Sequence, residues 1–149
     1  MAQIELHPDF KDFLRLLNSH DVKYLVVGGY AVGYYGYPRP TGDIDIWIAV
    51  NEENAEKMAE ALRDFGMSEK EAIKDLFIEE DKIIRIGFPP IQIKVITGAS
   101  GLDFEKCYLR REVIEIDEIL VNFISLEDLK VNKKASGRFK DLEDLNHLP

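Results

Sequence analysis

A single cysteine, Cys107, and three scattered histidines leave this 149-residue chain without an internal disulfide and without the His/Cys cluster of a structural zinc. Long apolar runs are also missing: no segment approaches the roughly 20 residues a membrane span needs, and no membrane association is expected. The start, Met-Ala-Gln-Ile-Glu-Leu-His, has neither a basic opening nor an apolar stretch, so no secretory signal is read there and a cytoplasmic location is expected. Basic charge is scarce overall, with 19 Lys and Arg against 28 Asp and Glu and a net charge of −9, which argues against an evenly basic nucleic-acid binder. The exception is local: Lys130, Lys133, Lys134, Arg138 and Lys140 form a positive block near the C-terminus.

Apolar residues make up 46% of the chain, enough for a real core, and the length suits one domain over residues 1–149. Phe10, Phe13, Leu14 and Leu17 recur at helical spacing, which predicts a helix over 8–18. A short buried strand over 23–27 runs into Gly28-Gly29, and a short helix over 29–35 follows. Gly36 and Tyr37-Pro38-Arg39-Pro40 stop it, because proline cannot continue the ladder. A strand over 43–50 comes next, and Asn51 caps a helix that Gly66 ends. Ser68 and Glu71 match a capping box ahead of a helix to about residue 77. Strands over 82–86 and 91–96, a helical turn over 104–108, a hairpin over 111–123 and a C-terminal helix complete the pattern. These elements predict an α/β (α+β) fold with a mixed, mostly antiparallel sheet flanked by helices.

The chemistry concentrates in Asp43-Ile44-Asp45-Ile46. Strand side chains alternate, so the two carboxylates share one face while the isoleucines feed the core on the other. Adjacent carboxylates repel unless a cation lies between them, and a divalent metal is the usual answer. Gly28 and Gly29, at a strand-to-helix turn, let backbone N–H groups approach phosphate oxygens. Arg39 and Thr41 precede the acids and are placed to contact a triphosphate; ordinary loop roles suit them equally. Lys133 and Arg138 either line the same cleft or belong to a solvated helix face balanced by Asp141, Glu143 and Asp144. Core packing is the better reading for most of Tyr30, Tyr34, Tyr35 and Tyr37.

The ordered set Gly28-Gly29-Tyr30-Ala31-Val32, Arg39-x-Thr41-x-Asp43-x-Asp45, Gly87-Phe88-Pro89-Pro90 and Lys133-x-x-Ser136-Gly137-Arg138-x-Lys140-Asp141-Leu142 resembles the nucleotidyltransferase superfamily, which includes DNA polymerase beta. Within it, the pattern is most similar to the minimal, AbiEii-type toxin-antitoxin group. The resemblance implies the nucleotidyltransferase fold and a catalytic pair, Asp43 and Asp45, that ligates Mg²⁺. It further implies an NTP substrate held by Gly28, Gly29, Arg39, Thr41, Lys133 and Arg138, and a hydroxyl acceptor on RNA, protein or a small molecule. An antitoxin partner also belongs to that group.

One position departs from the pattern. Active members carry a third carboxylate on a later strand, as metal ligand and proton acceptor; here that position is Lys94. An ammonium within about 4–6 Å of two carboxylates pairs with them and competes with a metal. Glu79, Glu80, Asp81 and Asp103 are the acids that could approach in its place. Two functions follow: an active nucleotidyltransferase, or a degenerate member that binds a nucleotide or partner without turnover.

Overall fold

The computed structural model describes residues 5–37, 42–88 and 90–149. Helix α1 (Pro8–Ser19) buries Phe10, Phe13, Leu14 and Leu17 along one stripe. His7 caps it by accepting the Asp9 N–H at Nδ1, 3.1 Å away, and Pro8 occupies a first-turn position whose N–H would be unpaired anyway. Strand β1 (Tyr24–Val27) is buried throughout and feeds directly into α2 (Gly28–Tyr34). Strand β2 (Asp43–Ile48) carries the acids, and α3 (Glu52–Phe65) follows. The Asn51 side chain accepts the Asn54 N–H at 2.7 Å at one end of α3, and Gly66 ends it in the left-handed conformation. These boundaries match the sequence pattern to within two residues.

The segment after Ser68 departs from expectation. Its capping contacts form, with Ser68 Oγ accepting the Glu71 N–H at 3.3 Å and donating to Glu71 Oε1 at 2.8 Å. No α-helix grows from them; only a 3₁₀ turn at Lys74–Phe77 forms. The buried anchors here are Ala72 and Phe77. Five residues apart, they would stand about 140° from each other around an α-helix and could not share one core-facing stripe. Tertiary anchoring therefore overrides the local signal, helped by Lys74 Nζ, which donates to Glu52 of α3 at 2.6 Å.

Strands β3 (Ile83–Phe88) and β4 (Ile91–Ile96) form one hairpin. Helix α4 (Phe104–Leu109) leads to a second, β5 (Glu112–Ile116) and β6 (Ile119–Phe123). Helices α5 (Leu126–Ser136) and α6 (Phe139–His147) close the chain and pack on each other. The six strands make one sheet in the order β3-β4-β2-β1-β6-β5. Pairs β3–β4, β2–β1 and β6–β5 are antiparallel, while β4–β2 and β1–β6 are parallel, so the sheet is mixed and mostly antiparallel as expected. Parallel register aligns Ile44 with Ile93 and Ile46 with Val95, and all four are buried, which fixes one face of β2 and β4 to the core. Their opposite face is thereby committed to Asp43, Asp45, Gln92 and Lys94. Among the described residues, no helix is long and apolar enough to cross a membrane.

Candidate nucleotide site

The site begins at the junction of β1 and α2. Val27 is extended, and Gly28 then adopts φ +67°, a conformation costly for any residue with a Cβ. No side chain caps the start of α2. Antiparallel register places Asp45 opposite Val27, so its carboxylate projects beside this turn. A Cβ on residue 28 would overlap Asp45 Oδ2 and lie 2.9 Å from its Cγ. Glycine is therefore required here twice, by backbone conformation and by the space the acid takes.

Asp43 and Asp45 do share one face, as alternation demands, and β4 brings Lys94 against them. Asp45 is the register partner of Lys94, whose Nζ lies 3.0 Å from Asp43 Oδ2. The side chains of Lys94 and Asp43 keep 30% and 34% exposure, so this pair sits at the mouth of the site and not within the core. Burial pushes the Asp45 carboxyl above its ordinary pKa; the Lys94 charge opposes that shift and the neighbouring Asp43 charge adds to it. Glu80, Asp81 and Asp103 do not come to the site. They line an adjoining hollow of about 270 Å³ with Trp47 and Thr97, which shares Gly98 and Ala99 with the cleft described next, and Glu79 pairs with Lys82 at 3.7 Å. Among the described residues, no three acid, His or Cys side chains gather where a metal could be held.

A cleft of about 410 Å³ opens over this face, lined by Val27, Gly28 and Asp45 on one side and by Lys94, Ile83 and Ile96 on the floor. Ser100, Lys133, Ser136 and Arg138 close the other side, so residues more than 100 positions apart in sequence meet across it. Lys133 does not present a free charge to the cleft. It is buried, with Nζ 3.0 Å from Asp144 Oδ2 and 3.3 Å from Asp141 Oδ1, so the solvated-face reading fails for this residue. Arg138 is 74% exposed and reaches back to Asp141, its Nε donating to Oδ2 at 2.7 Å. Burial opposes ionisation of Asp141, but the hydrogen bonds and charges of Arg138 and Lys133 outweigh it and hold its pKa below the ordinary value. The two carboxylates thus anchor α6 to α5 and set where Arg138 enters the cleft.

Gly29 and Asp43 stand beside the cleft without lining it. Arg39 and Thr41 lie outside the described residues. The tyrosines mostly pack: Tyr35 is buried and its hydroxyl donates to Ile124 O at 2.6 Å, Tyr30 sets its ring edge-on to Phe10, and Tyr34 lies against Phe123. Tyr37 stacks on His147 at 4.0 Å between centroids. One residue of the acid-bearing face escaped the sequence reading. Arg85 of β3 lies directly opposite Lys94 in the antiparallel register, and its alternation with Ile84 and Ile86 is the signal that could have found it.

A larger groove, of about 990 Å³, lies at the other end of the sheet, around Arg15, Lys23, Lys57, Tyr108 and Arg111. Three of its cations already face acids: Arg15 with Asp12 at 3.2 Å, Lys57 with Glu53 at 3.1 Å and Lys23 with Glu105 at 3.9 Å. It holds neither the glycine turn nor the acid pair, so the smaller cleft is the candidate site.

No protein-family model matches this sequence, and no curated protein matches it either. Solved structures do match. One, from Thermotoga maritima, is of a candidate nucleotidyltransferase; the likeness has a TM-score of 0.59 at 16% identity and covers 95% of this chain and 93% of that one. Another, from Paracoccidioides brasiliensis, is of an antigenic nucleotidyltransferase-like protein, with a TM-score of 0.54 at 18% identity over 93% of this chain and 73% of the other. The chain has the nucleotidyltransferase fold. At such identities the likeness fixes architecture, and function has to be argued from the site.

Proposed function

We propose that this protein binds a nucleoside triphosphate in the cleft between β4 and α5, with the Lys94 ammonium serving as a built-in cation, and without metal-dependent nucleotidyl transfer. The observation that carries the reading is the 3.0 Å contact between Lys94 Nζ and Asp43 Oδ2. Mg²⁺ takes oxygen ligands in near-octahedral geometry at about 2.0–2.1 Å. The residues present do not fit a three-carboxylate centre of that kind: the third position supplies an ammonium, and that ammonium already pairs with one of the two acids. Gly28 and Gly29 would offer backbone N–H groups to the phosphates at the uncapped start of α2, and Arg138 would supply an exposed guanidinium across the cleft. Arg39 and Thr41 join that proposal from the sequence alone. The AbiEii-type resemblance extends it to a protein partner of the antitoxin kind, and the nucleotidyltransferase fold supports the choice of an NTP.

Calorimetric titration with ATP, GTP and CTP, with Mg²⁺ and in EDTA, tests this directly when paired with a pyrophosphate-release assay. Binding that survives EDTA with no pyrophosphate formed is the expected result. Mg²⁺-dependent binding with pyrophosphate release would instead support transfer to a hydroxyl of RNA, protein or a small molecule, with Asp43 and Asp45 as metal ligands. No binding under any condition would overturn nucleotide recognition altogether.

A further inference from the structure

Read across the strands at one level, the acid-bearing face runs Val27, Asp45, Lys94, Arg85. Residues directly opposite in adjacent antiparallel strands share a face, with Cβ atoms about 4.5–5.5 Å apart. Arg85 therefore stands beside Lys94, while its neighbours Ile84 and Ile86 pack toward the core on the other face. Like charges placed directly opposite destabilise a sheet unless something offsets them. Lys94 is offset by Asp43 at 3.0 Å. Arg85 is exposed and, among the described residues, has no carboxylate within ion-pair distance. Arg85 itself stands just outside the cleft lining, but its cross-strand partner Lys94 and its same-face neighbour Ile83 both line that cleft, which puts Arg85 at the β3 edge of it. An edge-strand arginine so placed has a free planar fork of donors next to a second cation, a combination suited to an oxyanion with two oxygens to offer.

We propose that Arg85 is a binding residue for the phosphate chain of the nucleotide, taking the outer phosphate oxygens at the β3 edge of the cleft while Lys94 holds the inner part of the chain. This rests on the reading of the cleft as a nucleotide site and assigns it the anionic end of the ligand.

The test compares full-length wild type, Arg85→Ala and Arg85→Lys by calorimetric titration with ATP, inorganic triphosphate and adenosine in EDTA. Arg85→Ala should weaken ATP and triphosphate about tenfold or more, the loss expected for one charge-assisted contact. Adenosine binding should not change between variants. Arg85→Lys should recover only part of the loss, since an ammonium cannot make the paired contact. Because the residue is exposed on an edge strand, thermal midpoints of both variants should stay within about 2 °C of wild type, which separates lost binding from lost folding. Wild-type binding that is equally strong in Arg85→Ala would overturn this assignment and leave the nucleotide site standing. Absence of wild-type binding to all three probes would overturn the nucleotide site, and this assignment with it.

Discussion

Gly28 and Asp45 are fitted to each other: the missing side chain of one is the space filled by the carboxylate of the other, across the β1–β2 pairing that aligns Val27 with Asp45. The left-handed backbone at residue 28 and the acid's position are thus a single structural feature. Gly28→Ala is expected to cost about 1–2 kcal/mol from the backbone conformation alone, with a further loss from overlap with Asp45. Urea unfolding of Gly28→Ala, Asp45→Ala and the double variant checks this. The double variant should recover the overlap share and not the backbone share; strict additivity of the two single losses would count against the fit described.

Lys94 controls whether the acid pair can take a metal. Lys94→Asp would put three carboxylates on one face and remove the ammonium 3.0 Å from Asp43. The variant should be less stable than wild type in EDTA and be stabilised by Mg²⁺, by about 2.7 kcal/mol at a concentration about 100 times its Kd. Wild type should show no such response. Thermal melting across a Mg²⁺ series reads both, and an equal response in the two proteins would sink the role given to Lys94.

Asp45 supplies a pH signature. Its folded-state pKa is raised, chiefly by burial, above the unfolded value of about 3.9. The folded protein therefore holds this proton more tightly than the unfolded chain does. The resulting stabilisation is complete below the unfolded pKa and is lost as pH rises through the folded one. Asp45→Asn, which never ionises, should gain on wild type as pH rises from about 4 toward 7, a difference read by denaturant titration at several pH values. A loss of stability by Asp45→Asn relative to wild type over that window would mean that burial does not dominate the environment of this carboxyl.

Lys133 and Arg138 hold the same carboxylate but should answer differently to removal. Lys133→Met leaves Asp141 and Asp144 buried without their central cation, and a loss of about 3–5 kcal/mol is expected. Arg138→Ala removes a guanidinium that is 74% exposed while Lys133 still contacts Asp141, so about 1 kcal/mol or less should be lost. Nucleotide affinity should fall in Arg138→Ala although its fold is kept. Urea midpoints and ATP titrations of the two variants together separate the anchor from the ligand-facing group.

Much of the architecture is legible in the chain because its signals are local. The period of Phe10, Phe13, Leu14 and Leu17 gives α1, Asn51 and Gly66 give both ends of α3, and the alternation around Asp43 and Asp45 gives their shared face. The Ser68–Glu71 box shows where local signals stop sufficing. Its hydrogen bonds form as their chemistry dictates, yet Ala72 and Phe77 are drawn into the core at a spacing no α-helix can serve. The charged side chains of the site divide the same way. Lys94 was identifiable through the family resemblance, as the basic residue where a third acid is expected, whereas the burial of Lys133 by two acids of α6 depends on a helix pair that no spacing rule reveals.

The sequence by itself determined most of the succession of elements, the glycine turn and the paired acids, because each depends on neighbours within a few positions; that Lys94 stands where a third acid is expected came from the family resemblance. Only the tertiary structure decided that β4 lies parallel beside β2, which sets Lys94 against Asp43, puts Arg85 next in line and brings Lys133 and Arg138 over the same cleft. Register between strands nearly 50 residues apart is chosen by the packing of Ile44 on Ile93 and Ile46 on Val95, a contact that exists only once the core has closed.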